Sequence, residues 1–384
     1  MFQVFKIIVC CLFFHTCNSP FVTTFKDEED AIMYMSNDTS LPPSSYPDSI
    51  KVMTWNIRFG VARAPWFGDS CGDRVIMESD DIETGLAGII NFINIENPDI
   101  LLIQEIDIES KRSAYIDQLD WIINNNTIGL NYAAYGSMWQ ADYVPSDGLG
   151  KVNAGNAILS KYPLSDAKRI QLPLRQDQPE YEKYFYLRRN FLKAKVDILN
   201  DKTKSFYALV VHATAFATDD TKQKQIDTFK LALDEIHNSD AYFVAGGDFN
   251  AVPLGADTDY CEFDRCAGDI CNKEYKNNKI YEGSYFENFD SEPLLMEPFY
   301  MDYHSAILKE DSNNLENFTH STYNTDEDYI DSDSWWNRKL DYLFTNYQDW
   351  SGTGITHQGI KDVFSSPFYL SDHAPVSAII KIDE

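Results

Sequence analysis

The stretch "AYFVAGGDFNAVP", residues 241–253, decides how the chain is read. Tyr242 to Ala245 has the look of a buried strand, short, aromatic and apolar. It runs straight into Gly246, Gly247, Asp248 and Asn250. Alone, that end is an ordinary glycine-rich turn in which Asp and Asn bond the local backbone. It gains meaning only if other strands end in matching chemistry.

Several do. "IKVMTWNIRFG" (50–60) reads as a strand that ends at Asn56, and "PDILLIQEID" (98–107) as one that ends at Gln104 and Glu105. "SFYALVVHATAF" (205–216) ends at His212, and "NRKLDYLFTN" (337–346) places Asp341 in a strand beginning near Lys339. "LSDHAPVSAII" (370–380) sets Asp372 and His373 at the entrance of a last strand, Val376 to Ile380. "GNAILSKYPL" (155–164) and "RRNFLKAKVDIL" (188–199) read as further sheet members. "ETGLAGIINFINIEN" (83–97) and "TKQKQIDTFKLALDEIHNS" (221–239) carry apolar residues at helical spacing, the second with Ile226, Phe229, Leu233 and Ile236 as its stripe. Strands alternating with helices predict an α/β fold.

Each polar end has a structural explanation of its own: Asn56 as a turn cap, Glu105 as a solvated terminus, His212 as a satisfied core histidine. Together, a carboxamide, acids and histidines on strand ends are what binding a hard cation and attacking a phosphate ester require.

Composition bounds the rest. The 384 residues are 44% hydrophobic and 14% aromatic, enough for one large core or two small ones. Repeats and low-complexity tracts are not evident. The net charge of −28 disfavours a protein that grips long DNA through many phosphates, although a bound cation would reverse the local sign. Plain solubility is the alternative account of the acidity. "MFQVFKIIVCCLFF" (1–14) followed by "HTCNSP" predicts a secretory signal over residues 1–19, with cleavage after Ser19 or lipidation at Cys17 as alternatives. Residues 20–49, with "FKDEED" and "SNDTSLPPSSYP", predict a flexible tether, and 50–384 the catalytic domain. Of seven cysteines, Cys71, Cys261, Cys266 and Cys271 lie beyond the leader and predict disulfides of an exported protein rather than a zinc site. Asn37, Asn125 and Asn317 head N-x-[ST] sequons.

"TWNIRFG", "LLIQEID", "VVHATAF", "GGDFNAVP", "KLDYLF" and "SDHAPV" resemble, in this order, the motifs of the endonuclease/exonuclease/phosphatase superfamily, whose members include deoxyribonuclease I. The resemblance runs from about residue 50 to the C-terminus. It implies a four-layer α/β/β/α sandwich, two mixed sheets face to face with helices outside. It also implies a Mg²⁺-dependent hydrolase of phosphoester bonds, with Mn²⁺ as a substitute. By position, Glu105, Asn56 and, in an outer shell, Asp372 correspond to the metal residues. Asp248 corresponds to the residue that orients or deprotonates the attacking water, with Asn250 beside it holding that water or a phosphate oxygen. His373, paired with Asp341, corresponds to the histidine that stabilises the phosphoryl group, and His212 to a contact with a phosphate oxygen or the leaving group. "VHATAF" departs from the family's Thr-His-Leu-type stretch, which loosens the role of His212. Arg188, Arg189 and His320 are candidate phosphate contacts, Arg189 foremost, with structural use the alternative. The long interval from Asn250 to Asp341 is expected to border the pocket.

Three functions fit: an exported or surface-anchored phosphoesterase, a deoxyribonuclease-like endonuclease, and a catalytically inactive binding relative. Expected partners are a phosphoester substrate (a small molecule, a lipid headgroup or nucleic acid) and a membrane only through a lipid anchor. A monomer is expected. A membrane-docking apolar hairpin is not evident, although "WFGDSCG" and "DSDSWW" offer aromatics.

Overall fold

A computed structural model of the protein describes residues 21–37, 43, 46–67, 72–215, 217, 219–256, 289–321, 335–360, 363 and 365–382. The leader, with Cys17, lies outside the described residues, as do Cys71, Cys261, Cys266 and Cys271.

The strands are β1 (Glu28–Asp30), β2 (Ile32–Met35), β3 (Ser49–Asn56), β4 (Ile100–Asp107), β5 (Tyr132–Val144), β6 (Gly150–Ser160), β7 (Leu164–Gln171), β8 (Asn190–Val196), β9 (Phe206–His212), β10 (Tyr242–Asp248), β11 (His304–Ser305), β12 (Asp341–Thr345), β13 (Ile355–Thr356) and β14 (Val376–Lys381). The described α-helices are α1 (Ser79–Glu96), α2 (Gln118–Asn125), α3 (Glu180–Phe185), α4 (Thr221–Asn238), α5 (Glu297–Asp302) and α6 (Pro367–Leu370). Two mixed sheets of seven strands form, in the orders β1-β7-β8-β9-β10-β12-β11 and β13-β14-β3-β4-β6-β5-β2.

Three apolar cores separate four layers. Between the sheets, Ile50, Val52, Ile100, Leu102 and Ile158 of one meet Leu192, Phe206, Val210, Val244 and Leu343 of the other. On the outer face of the first sheet, Met53, Trp55, Leu101 and Ile103 pack under Leu86, Ile89 and Ile93 of α1 and Leu119 and Ile122 of α2. On the outer face of the second, Leu209, Val211, Phe243 and Ala245 pack under the predicted α4 stripe, Ile226, Phe229, Leu233 and Ile236. Strands with both faces covered must be apolar throughout, which is why their centres read as continuous hydrophobic runs. Burying a side chain such as Phe229 contributes about 1.5–3 kcal/mol. The α/β/β/α sandwich is the fold the motif order implied.

Helix α1 starts at Ser79, ahead of the apolar run, because Asp80 and Asp81 sit in its first turn where the helix dipole favours acids. It ends at Asn97, left-handed (φ 53°), just before Pro98. The expected tether over residues 20–49 is corrected in part. Glu28–Asp30 pairs with β7 and Ile32–Met35 with β5, so this short segment adds an edge strand to each sheet. Glu28–Asp30 is acidic, and Ile32–Met35 is a short apolar run left largely exposed; backbone pairing with distant strands, not burial, orders both. The aromatics of "DSDSWW" are also not exposed. Trp335 and Trp336 are buried with Phe368 and Ala374, and Trp335 stacks on Phe368 with ring centroids 4.3 Å apart. No described helix is long and apolar enough to cross a membrane.

Register brings the polar strand ends together. β9 and β10 are parallel with His212 beside Asp248, while β10 and β12 are antiparallel with Asp248 beside Asp341. In the other sheet β3 and β4 are parallel with Asn56 beside Gln104, one residue short of Glu105.

Candidate active site

Glycine permits the alignment at Asp248. Gly247 has φ 140°, and a Cβ there would lie 1.9 Å from the Val211 carbonyl oxygen. Only glycine lets β10 lie this close to β9 at the end that carries Asp248. In β4 the ladder to β6 shifts between Ile103 and Ile106, and Glu105 occupies that bulge with φ 57°. A bulge re-aims a side chain, and a non-glycine residue at positive φ costs about 1–3 kcal/mol. Buried Asp107 pins the strand just beyond, accepting two hydrogen bonds from Arg112 at 2.8 and 2.9 Å and one from Ser113.

The sequence-predicted residues converge on Asp248, itself 1% exposed. The Asn56 amide donates to Glu105 Oε1 and to Asp248 Oδ2, both at 3.2 Å. The backbone N–H of Arg58 donates to Asn56 Oδ1, which fixes the orientation of that amide. His212 Nε2 is 3.3 Å from Asp248 Oδ2 and 3.8 Å from Glu105 Oε1. His373 Nε2 is 3.7 Å from Asp248 Oδ2, and its Nδ1 is 2.8 Å from Asp341 Oδ2. Asn250, left-handed at φ 49°, donates its backbone N–H to Asp248 Oδ1 and its side-chain amide to Asp248 Oδ2 and the Ala213 carbonyl.

Burial sets the electrostatics, and neighbours decide its outcome. It pushes the Asp248 carboxyl up to about 7, assisted by Asp341 and Glu105 and opposed by His373. It would lower His373, but the charges of Asp341 and Asp248 outweigh it and lift that imidazole to about 10. His212 is pushed well below the usual histidine range, first by burial and then by the nearby positive charges of Arg189 and His373. The site therefore holds one protonated histidine, one neutral histidine and a carboxylate able to exchange a proton near neutrality.

The remaining candidates divide. Arg189 is buried close enough to His212 to influence it; its Nη1 meets Met138 Sδ at 3.7 Å, and among the described residues its Nε has no hydrogen-bond partner. Arg188 spends its guanidinium on the Tyr184 and Tyr186 carbonyls, a structural use. His320 Nδ1 accepts from Arg338 Nε at 3.2 Å, and its ring lies edge-on to His373 at 4.7 Å. Asp372 pairs with Arg58 Nε at 3.3 Å and groups with ring nitrogens of His320 and His373.

Sequence reasoning missed Arg58, although it stands inside a quoted motif. It also missed Thr319, whose hydroxyl accepts from the backbone N–H groups of Leu340 and Asp341. Nothing in the local pattern of "NFTHSTY" marks that long-range contact.

A divalent cation is what the family's chemistry calls for, and the donors fit one. Glu105 and Asp248 bring two carboxylates to the same amide, and Glu105 keeps a quarter of its side chain exposed, open to an ion and its waters.

The sequence profile of the Endonuclease/Exonuclease/phosphatase family matches residues 53–373. No curated protein matches. Among solved structures, an endonuclease/exonuclease/phosphatase from Beutenbergia cavernae shares 17% identity, covering 88% of this chain and 72% of that chain at a TM-score of 0.50. A family protein from Leptotrichia buccalis shares 14% identity over 87% of this chain and 100% of its own, at 0.46. The human Nocturnin catalytic domain shares 17% over 87% and 97%, at 0.44. With the profile spanning most of its length and the polar ends of its strands gathered around Asp248, the chain belongs to the endonuclease/exonuclease/phosphatase family.

Proposed function

We propose that the protein is a divalent-metal-dependent phosphoesterase, exported from the cytoplasm, that hydrolyses a small or lipid-linked phosphoester by direct attack of water. One observation carries the chemistry: Asp248 lies 3.7 Å from a histidine that Asp341 keeps protonated. Asp248 accepts the proton of the attacking water, which Asn250 orients; as the new P–O bond forms, the ester P–O bond opposite breaks and the departing oxygen takes a proton from solvent. The protonated His373 places its Nε2–H against a non-bridging phosphoryl oxygen, where negative charge grows in the transition state. Neutral His212 and Arg189 hold the remaining phosphate oxygens. Glu105, helped by Asn56, would hold the ion, with the Asn56 amide also orienting Asp248 and with Asp372 adding charge near His373. Bound Mg²⁺ or Mn²⁺ supplies charge neutralisation on the phosphate.

Export rests on the leader-like start and the cysteine usage, and the preference for a small or lipid-linked ester rests on the charge of −28. A substrate panel tests the reading. Purified protein with Mg²⁺ is offered bis(4-nitrophenyl) phosphate, sphingomyelin, phosphoinositides and plasmid DNA. Turnover of a small or lipid-linked ester with little nicking of DNA is expected. Rapid DNA cleavage alone would make the protein an endonuclease, and no turnover of any of them would overturn the proposal.

A further inference from the structure

The catalytic loop after β10 is held from behind by a buried ion pair to which the mechanism assigns no role. Lys222, in the first turn of α4, donates to the Asn250 carbonyl at 2.6 Å and to Glu292 Oε2 at 2.6 Å. The other oxygen of Glu292 accepts from the Val252 backbone N–H at 3.1 Å. Both side chains are buried, at 11% and 4% exposure. Glu292 belongs to the short 3₁₀ segment Phe289–Met296, so the described end of the long interval before β12 buttresses the loop from outside.

One turn along the same helix, Gln225 Oε1 accepts from the Thr214 N–H at 2.8 Å, just beyond His212. Asn250 ties the two loops together through its amide to the Ala213 carbonyl at 3.0 Å. The buried edge of α4 thus fixes both loops that carry the water-directing and phosphate-facing groups. Asn250 is left-handed, a conformation that persists only where its surroundings enforce it. A buried ion pair adds little net stability compared with an apolar pair of the same shape. Its directed bonds to one carbonyl and one N–H instead set backbone position.

We infer that Lys222, held by Glu292, is a positioning residue that acts through Asn250 on the attacking water, an inference that rests on the phosphoesterase reading above. The test compares the full chain with Lys222→Met, Lys222→Arg and Glu292→Gln, using bis(4-nitrophenyl) phosphate and Mg²⁺. Lys222→Met should lower kcat by about 10–100-fold and leave KM within about threefold, because misplacing a catalytic group by an ångström costs on that order. Lys222→Arg should recover most of the loss. In an Asn250→Ala background, Lys222→Met should cost less than about threefold more. Wild-type kcat in Lys222→Met, or losses that multiply in full, would overturn the inference. Amide hydrogen exchange supplies a readout independent of turnover: residues 249–252 should exchange faster in Lys222→Met while residues 243–246 stay protected. If wild type does not cleave the diester, the functional reading fails and the exchange comparison decides the clamp, unchanged protection at 249–252 overturning it. Should Lys222→Met fail to fold, the near-isosteric Glu292→Gln carries both measurements with the same expectations.

Discussion

His373, on the approach to β14, and Asp341, at the start of β12 in the other sheet, form a buried pair, Nδ1 to Oδ2 at 2.8 Å. Among the described residues Asp341 Oδ1 has no hydrogen-bond partner, while its Oδ2 meets the His373 ring and its charge supports that imidazolium. The pair turns Nε2 of His373 towards Asp248. His373→Ala should therefore lower kcat by about 10²–10⁴-fold with little change in melting temperature. Asp341→Asn should impair the same step, and the double variant should fall well short of additivity in activation free energy. Additive losses would leave the two as independent neighbours.

The two titrations give a pH profile with a definite sign. The proposed mechanism needs Asp248 ionised and His373 protonated. Without an ion, buried Asp248 loses its proton near about 7. In the active, cation-loaded enzyme the acidic limb should therefore lie below that, and activity should fall as pH passes about 10, where His373 loses its proton. Because the groups interact, the limbs belong to the pair. Asp341→Asn removes the main charge that supports the imidazolium, so the alkaline limb should move down. A rate–pH profile of that variant with an unmoved alkaline limb would contradict the assignment.

Glu105→Gln keeps the shape at the bulge and removes the charge. It should cost on the order of a hundredfold or more in rate, and excess Mg²⁺ should restore part of the loss if affinity is what suffers. Full activity of this variant in chelator would remove Glu105 from the metal site.

Gly247→Ala tests the fold's demand at the catalytic strand end. Its Cβ would meet the Val211 carbonyl at 1.9 Å, on a backbone of φ 140° that alanine rarely adopts. Thermal melts should show a loss of about 2 kcal/mol or more. A variant as stable as wild type would mean β9 and β10 separate more easily than their register indicates.

The polar strand ends were legible because each adjoins an apolar run buried on both faces: Asn56, Glu105, His212 and Asp248 close such runs, while Asp341 and His373 stand at or just before the start of one. The segment Glu28–Met35 was not, since its order comes from pairing with β5 and β7, strands far away in sequence. β5 escaped notice because Gly136, Ser137 and several alanines blur its pattern. Arg58, Thr319, Lys222 and Glu292 act through backbone groups, and a contact to a distant carbonyl or N–H leaves no periodic trace. The bulge at Glu105 likewise depends on its ladder to β6, which no window of β4 contains.

The most direct measurement is hydrolysis of bis(4-nitrophenyl) phosphate by wild type and Asp248→Asn, each with Mg²⁺ and with excess chelator. Asp248 sits where the water-directing, histidine and metal-side groups meet, and asparagine preserves its shape while removing its charge and its proton chemistry. Wild type should turn over only with the ion, and Asp248→Asn should lose about 10²-fold or more of that rate while melting cooperatively. Turnover by wild type that persists in chelator, or an Asp248→Asn protein as active as wild type, would contradict the account.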